Sequence, residues 1–256
     1  MMRYYSAMLS IILVAVFAGL VQGYEVVDVN NGATLKGTVQ FKGTVPPDEA
    51  NVIDKDVDYC GKGEKVGKYV VSDSKVKNAM VWLEGVTKGK AIPKSSVAVA
   101  IKNCNALPHV SAGFVGGKYV FKNEDDIMHT VQLKLGLAYH KQVSQRPLKD
   151  GATIYNLALP IKGMQIKKPI KKYHRYTKET GFIQIKSNTH NWIRGYIFIF
   201  DHPYAVVTNE NGAFKMDNIV SGEYLLKIWH EGFGMQERKV RFAEGQLVEA
   251  DIEFGK

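Results

Sequence analysis

The strongest constraint in this sequence is its punctuation. Gly and Pro recur throughout, and no long stretch keeps a helical period; short alternating or wholly apolar runs take its place. Leu35-Lys-Gly-Thr-Val-Gln-Phe-Lys-Gly43 alternates, and Val45-Pro-Pro47 stops it. Tyr69 to Val71, Ala79 to Leu83, Ser96 to Ile101, Lys118 to Lys122, Thr130 to Leu135, Ile154 to Leu159, Thr180 to Ile185 and Tyr196 to Phe200 read as further strands. Val240 to Phe242 and Leu247 to Phe254 close the chain in the same way. Residues 46–68 read as a long irregular connection, and 136–152 as a polar insertion or short helix. Asn211-Gly212 reads as a hairpin turn, because both residues tolerate positive φ. The fold class is therefore all-β.

The N-terminus has the form of a secretory signal. Met1-Met-Arg-Tyr-Tyr is followed by an uncharged, nearly all-apolar run from Ala7 to Val21, and Val21-Gln22-Gly23 reads as the cleavage site. Cleavage there would leave Tyr24 as the mature end, in the periplasm or outside the cell. The apolar run is shorter than the ~20 residues a membrane span needs, so no span is expected after cleavage; a retained N-terminal anchor is the alternative. In an exported chain the two cysteines, Cys60 and Cys104, read as one disulfide. The closed loop would contribute about 4 kcal/mol in the chain-entropy picture. A Cys/His metal site is the weaker alternative, since neither cysteine lies in a Cys-x-x-Cys pair.

Charge bears on partners. The chain has 34 Lys and Arg against 25 Asp and Glu. One segment concentrates the excess: Lys162, Lys167, Lys168, Lys171, Lys172, Arg175 and Lys178, with no acid between them. It reads either as a solvated loop face or as a docking face for an acidic partner. Such a partner would be an exported cytochrome, an anionic glycan or a lipid headgroup surface. Export argues against nucleic acid. No Gly-x-Ser-x-Gly, phosphate loop, Gly-x-Gly-x-x-Gly or zinc-protease helix motif is present, so an enzyme is not expected.

Two loops carry the most specific pattern. The first is Asn123-Glu-Asp-Asp-Ile-Met-His129; the second is Ser187-Asn-Thr-His-Asn-Trp-Ile193, followed by a dense aromatic strand. Asn103-Cys-Asn-Ala-Leu-Pro-His-Val110 precedes them, and Gly-x-Phe and Gly-x-Tyr strands follow Asp201-His-Pro-Tyr204. The chain resembles the cupredoxin family. More closely, it resembles exported proteins that join a cupredoxin-like domain to a carboxypeptidase regulatory-like (transthyretin-like) β-domain. The resemblance implies a Greek-key β-sandwich over 69–195 and a smaller β-sandwich over 196–256. Residues 1–23 would be the signal peptide, and 24–68 would supply N-terminal strands that pack on the C-terminal unit.

For the site, the resemblance implies copper ligands at His129 and His190, with His109 as a third imidazole nearby. It also places Ser187 where the family has its cysteine and Ile193 where it has its methionine. A blue-copper site needs the soft thiolate and a weak axial thioether. A serine hydroxyl is hard and stays protonated, and isoleucine has no lone pair. The expectation is a non-enzymatic binding or accessory protein with a degenerate copper site and no cofactor, copper being the one candidate. The alternatives are a copper-binding or electron-transfer protein with a histidine-only site, and a cell-surface structural subunit. His202 and His230 read as strand-end histidines that orient loops, or else as a second polar cluster with Asp201 and Glu231.

Overall fold

A computed structural model describes residues 23–48, 51–61, 67–136, 152–171 and 182–255. Residues 1–22 of the expected signal segment, nearly all of the expected insertion, and Lys172, Arg175 and Lys178 lie outside these residues. The described chain is almost entirely strand, as its punctuation predicts. No helix among the described residues is long and apolar enough to cross a membrane.

Four main sheets stack with three apolar layers between them. In the first, strands Gln165–Pro169, Lys118–Asn123, Ser96–Lys102 and Asn105–Leu107 lie in that order. The second runs Thr153–Leu159, His129–Gly136, Phe182–Lys186, Arg194–Phe200, Val110–Phe114. The third runs Ala205–Val207, Met80–Glu84, Gly222–His230, Gly234–Phe242. The fourth is built around Ala33–Lys42, which pairs antiparallel with Ala213–Ile219 and parallel with Leu247–Glu249 and Ile252–Gly255.

Side-chain alternation explains the stacking. Val97, Val99 and Ile101 of the first sheet meet Val131, Leu133, Ile183 and Ile197 of the second. On the other face of the second sheet, Val110, Phe182, Phe198 and Phe200 meet Met80, Trp82 and Trp229 of the third. Ring centroids there approach to 4.9 Å for Phe198 and Trp229 and to 5.8 Å for Trp82 and Phe198. Val81, Leu83, Leu226 and Ile228 then face Leu35, Val39 and Phe254 of the fourth sheet. The second and third sheets are thus covered on both sides.

That burial moves the expected boundaries. Val71–Ser72, Lys75–Val76 and Met80–Glu84, read as part of a 69–195 unit, pair with the third and fourth sheets. Arg194–Phe200, whose aromatic run was read as opening the C-terminal unit, pairs with Phe182–Lys186 and Val110–Phe114 in the second sheet. Met80-Val-Trp-Leu83 is a continuous apolar run because both of its faces are covered; such a run does not say which sheet it enters. The Asn211-Gly212 turn also differs from expectation. It joins Ala205–Val207 to Ala213–Ile219, which lie in different sheets, so it is no hairpin. Gly212 takes φ 66°. The Asn209 side chain holds the turn, accepting from the N–H groups of Asn211 and Ala213 at 2.9 and 3.0 Å.

Candidate metal site and the buried histidines

The Asn123–His129 loop is organised from its first residue. The Asn123 amide donates to the carbonyls of Ile127 and Leu159, and its Oδ1 accepts from the Asp125 N–H at 2.9 Å. Asp125 is thereby turned inward and buried. Its Oδ1 accepts from the Asn103 N–H at 2.7 Å; its Oδ2 accepts from the Cys104 N–H at 2.8 Å and faces His129 Nε2 at 2.9 Å. Burial alone would raise this carboxyl, but the His129 and backbone bonds outweigh it and hold the group below its usual value.

His190 comes from the second loop, and both rings are fully buried. The two Nδ1 atoms face each other at 3.0 Å, and His190 Nε2 meets Asp56 Oδ2 at 2.8 Å. Asp56, His190, His129 and Asp125 thus form a row joined by three hydrogen bonds. A neutral imidazole carries one N–H, so the tautomers set which ring donates across the central contact. Burial pushes His190 below the ordinary histidine value, against the pull of Asp56.

Asp56 sits on a segment strapped across this end of the molecule. Cys60, four residues on, is disulfide-bonded to Cys104, as the cysteine count predicted. A single helical turn, Val57–Cys60, lies in the stretch read as irregular. The Tyr59 hydroxyl accepts from the Asp126 N–H at 3.2 Å.

The donor set does not fit blue copper. Ser187 Oγ accepts from the N–H groups of Thr189 and His190 at 3.3 and 3.2 Å and contacts the Thr130 and Thr189 hydroxyls at 3.1 and 3.0 Å. Ile193 is 2% exposed and packs in the first apolar layer. Neither position offers sulfur. Cys104, Asp125 and His129 do come within ligand distance of one another, but the Cys104 sulfur is committed to the disulfide. What remains is two convergent Nδ1 atoms, each ring held from behind by a carboxylate, with hydroxyls beside them.

His109 does not join this pair. The parallel pairing of Val110–Phe114 with Arg194–Phe200 carries it to the junction of the second and third sheets. There His109 Nε2 meets Glu231 Oε2 at 2.6 Å, and its Nδ1 is buried without a partner among the described residues. The Tyr196 hydroxyl donates to Glu231 Oε1 at 3.1 Å, and Arg194 Nε lies 3.4 Å from the same oxygen. Burial would raise Glu231, but His109, then Arg194 and Tyr196, reverse this and lower it. Gly195 permits the approach, since a Cβ there would meet the His109 carbonyl oxygen at 3.0 Å. Glu231 thus bonds to His109 and Tyr196, while its charge also acts on the neighbouring His230. His202 Nδ1 accepts from the Tyr204 N–H, and His230 Nδ1 from the Gly232 N–H, both at 3.2 Å.

Of the basic residues read from the sequence, Lys167 and Lys171 are exposed, while Lys168 is half-buried with its amine 5.7 Å from the Tyr155 ring centroid. Asp56 and Glu231 were not identifiable as partners of His190 and His109. Asp56 lies in a long connection and Glu231 in the turn between Gly222–His230 and Gly234–Phe242, each more than a hundred residues from its histidine.

No protein-family model matches the chain, and no curated protein does. Among solved structures, the copper-containing nitrite reductase of Thermus scotoductus SA-01 is similar at 17% identity and a TM-score of 0.29, over 44% of this chain and 24% of that one. The chain thus spans about a quarter of the length of that enzyme. Amicyanin from Paracoccus versutus is similar at 16% identity and a TM-score of 0.29, over 42% of this chain and 84% of that one. A reduced amicyanin variant is similar at 14% identity and a TM-score of 0.30, over 48% and 98%.

Proposed function

We propose that this chain is an exported, non-enzymatic binding or accessory protein whose cupredoxin-like half keeps two histidines of a copper site without its sulfur ligands. The observation that carries this reading is the occupation of the two soft-ligand positions. Ser187 spends its oxygen on its own loop, and Ile193 belongs to the apolar core. The Nδ1–Nδ1 contact between His129 and His190 occupies the nitrogens that a metal would otherwise join. The basic segment around Lys167 is its docking element for an acidic partner. A histidine-only site for copper or another borderline divalent ion is the second reading. It is favoured by the two convergent Nδ1 atoms with carboxylates behind them, an arrangement that orients metal-binding imidazoles.

Ser187→Cys with Ile193→Met tests the first reading. The double variant is expected to bind Cu(II) and to show an intense visible thiolate-to-copper band, while the wild type stays colourless. A coloured wild type would overturn the loss of the site. A folded double variant that takes up no copper would remove the cupredoxin-like placement of the two loops. Metal analysis of untagged native protein separates the second reading: stoichiometric metal with no visible band supports it.

A further inference from the structure

The basic residues legible in the sequence are only part of a larger charged face. Strand pairing places Lys118 beside Ser96 and Pro169, Val120 beside Ala98 and Lys167, and Lys122 beside Ala100 and Gln165. Tyr119 and Phe121 alternate inward and are buried, so Lys118, Lys122 and Lys167 share the outer face of the first sheet with the small side chains Ser96, Ala98 and Ala100. Exposed Lys94 and Lys171 stand at one end of these strands and exposed Lys102 at the other. The acid on this face is Glu124, which meets Lys122 at 2.9 Å and Lys102 at 3.9 Å. Lys118 and Lys122 lie about 13 Å apart along their strand, with Lys167 across from the midpoint.

We propose that this face binds a linear anionic polysaccharide bearing carboxylate or sulfate groups. The proposal rests on the docking reading above and names its partner class. Spaced lysines over a floor of Ser and Ala, with the nearly buried Val120 between Lys118 and Lys122, make a basic strip that a flexible polyanion can follow. A folded protein partner fits it less well. Interfaces between proteins are depleted in Lys and anchored by aromatic or Arg side chains. Among the described residues of these four strands, the exposed large apolar group is Leu107, 37% exposed beside Ala100 at the sheet's far edge. A single-stranded nucleic acid fits less well too, because the aromatics of these strands point inward and no ring on the described face is placed to stack a base.

The test uses the full mature chain with heparin and polygalacturonate oligosaccharides at low ionic strength. The variant Lys118→Gln/Lys122→Gln/Lys167→Gln is compared with Lys36→Gln/Lys215→Gln/Lys239→Gln, which removes the same charge from the third and fourth sheets. The face variant is expected to lose about tenfold in affinity and to show a flatter salt dependence, the control less than about twofold. Equal losses in the two variants would overturn the proposal, as would tighter binding to a single-stranded DNA oligomer of matched charge. Copper uptake by Ser187→Cys/Ile193→Met is read on a separate site, so the two readings fail independently.

Discussion

The two halves of this molecule bury their histidines in opposite ways. In the first and second sheets, each buried ring meets a carboxylate: His129 with Asp125, His190 with Asp56, and His109 with Glu231 from the neighbouring half. In the third and fourth sheets and their loops, His202 and His230 accept a hydrogen bond from a backbone N–H instead, which requires a bare Nδ1. His230 also stacks on Phe233 with ring centroids 4.5 Å apart. Burial pushes both of these histidines down to about 4. The contrast separates a histidine hydrogen-bonded to a carboxylate from one that is an aromatic core residue with a polar edge. Only the first kind brings nitrogens together at a common point.

Acid is the strongest way to break this comparison. The folded chain holds His202 and His230 neutral, whereas the unfolded chain protonates them near the usual value of about 6.5. Unfolded protein therefore binds more protons between about pH 6.5 and 4, and stability must fall as pH falls through that window. Each histidine accounts for about 3 kcal/mol across it. Urea midpoints measured from pH 7 to 4 should decline, and His230→Phe should remove about half of the slope. An unchanged slope in that variant would place His230 in the carboxylate-paired class.

Among the carboxylates the expected effects follow burial. Glu231 is 8% exposed at its side chain, and Glu231→Ala leaves His109 and the Tyr196 hydroxyl without their acceptor. A loss of about 3 kcal/mol at pH 7 is expected from urea unfolding. Asp56 is 40% exposed at its side chain. Asp56→Asn should cost under about 1 kcal/mol. It should nevertheless change the imidazole nitrogen resonances of His190 far more than those of His109. Equal stability losses from the two variants would erase the distinction between a strap contact and an inter-sheet pin.

The sequence by itself determined the local facts. The period-2 runs and their Gly and Pro stops gave an all-β chain, because alternation is a property of neighbours along one strand. The Asn123–His129 spacing marked a loop that the Asn123 side chain does organise. Ser187 and Ile193 showed before any geometry was known that those two positions carry no sulfur. The cysteine pair was legible because two cysteines leave one pairing. Tertiary structure alone decided everything that joins distant strands. It sent His109 to Glu231 rather than to His190, and it supplied Asp56 from a connection with no pattern of its own. It placed Met80–Glu84 and Arg194–Phe200 on opposite sides of one aromatic layer, and it aligned Lys118, Lys122 and Lys167 on a single face. The physical reason is that a strand's own residues specify which side chains share a face. Which sheet that face meets depends on pairing between segments far apart in the chain, and a strand buried on both sides carries no mark of its neighbour.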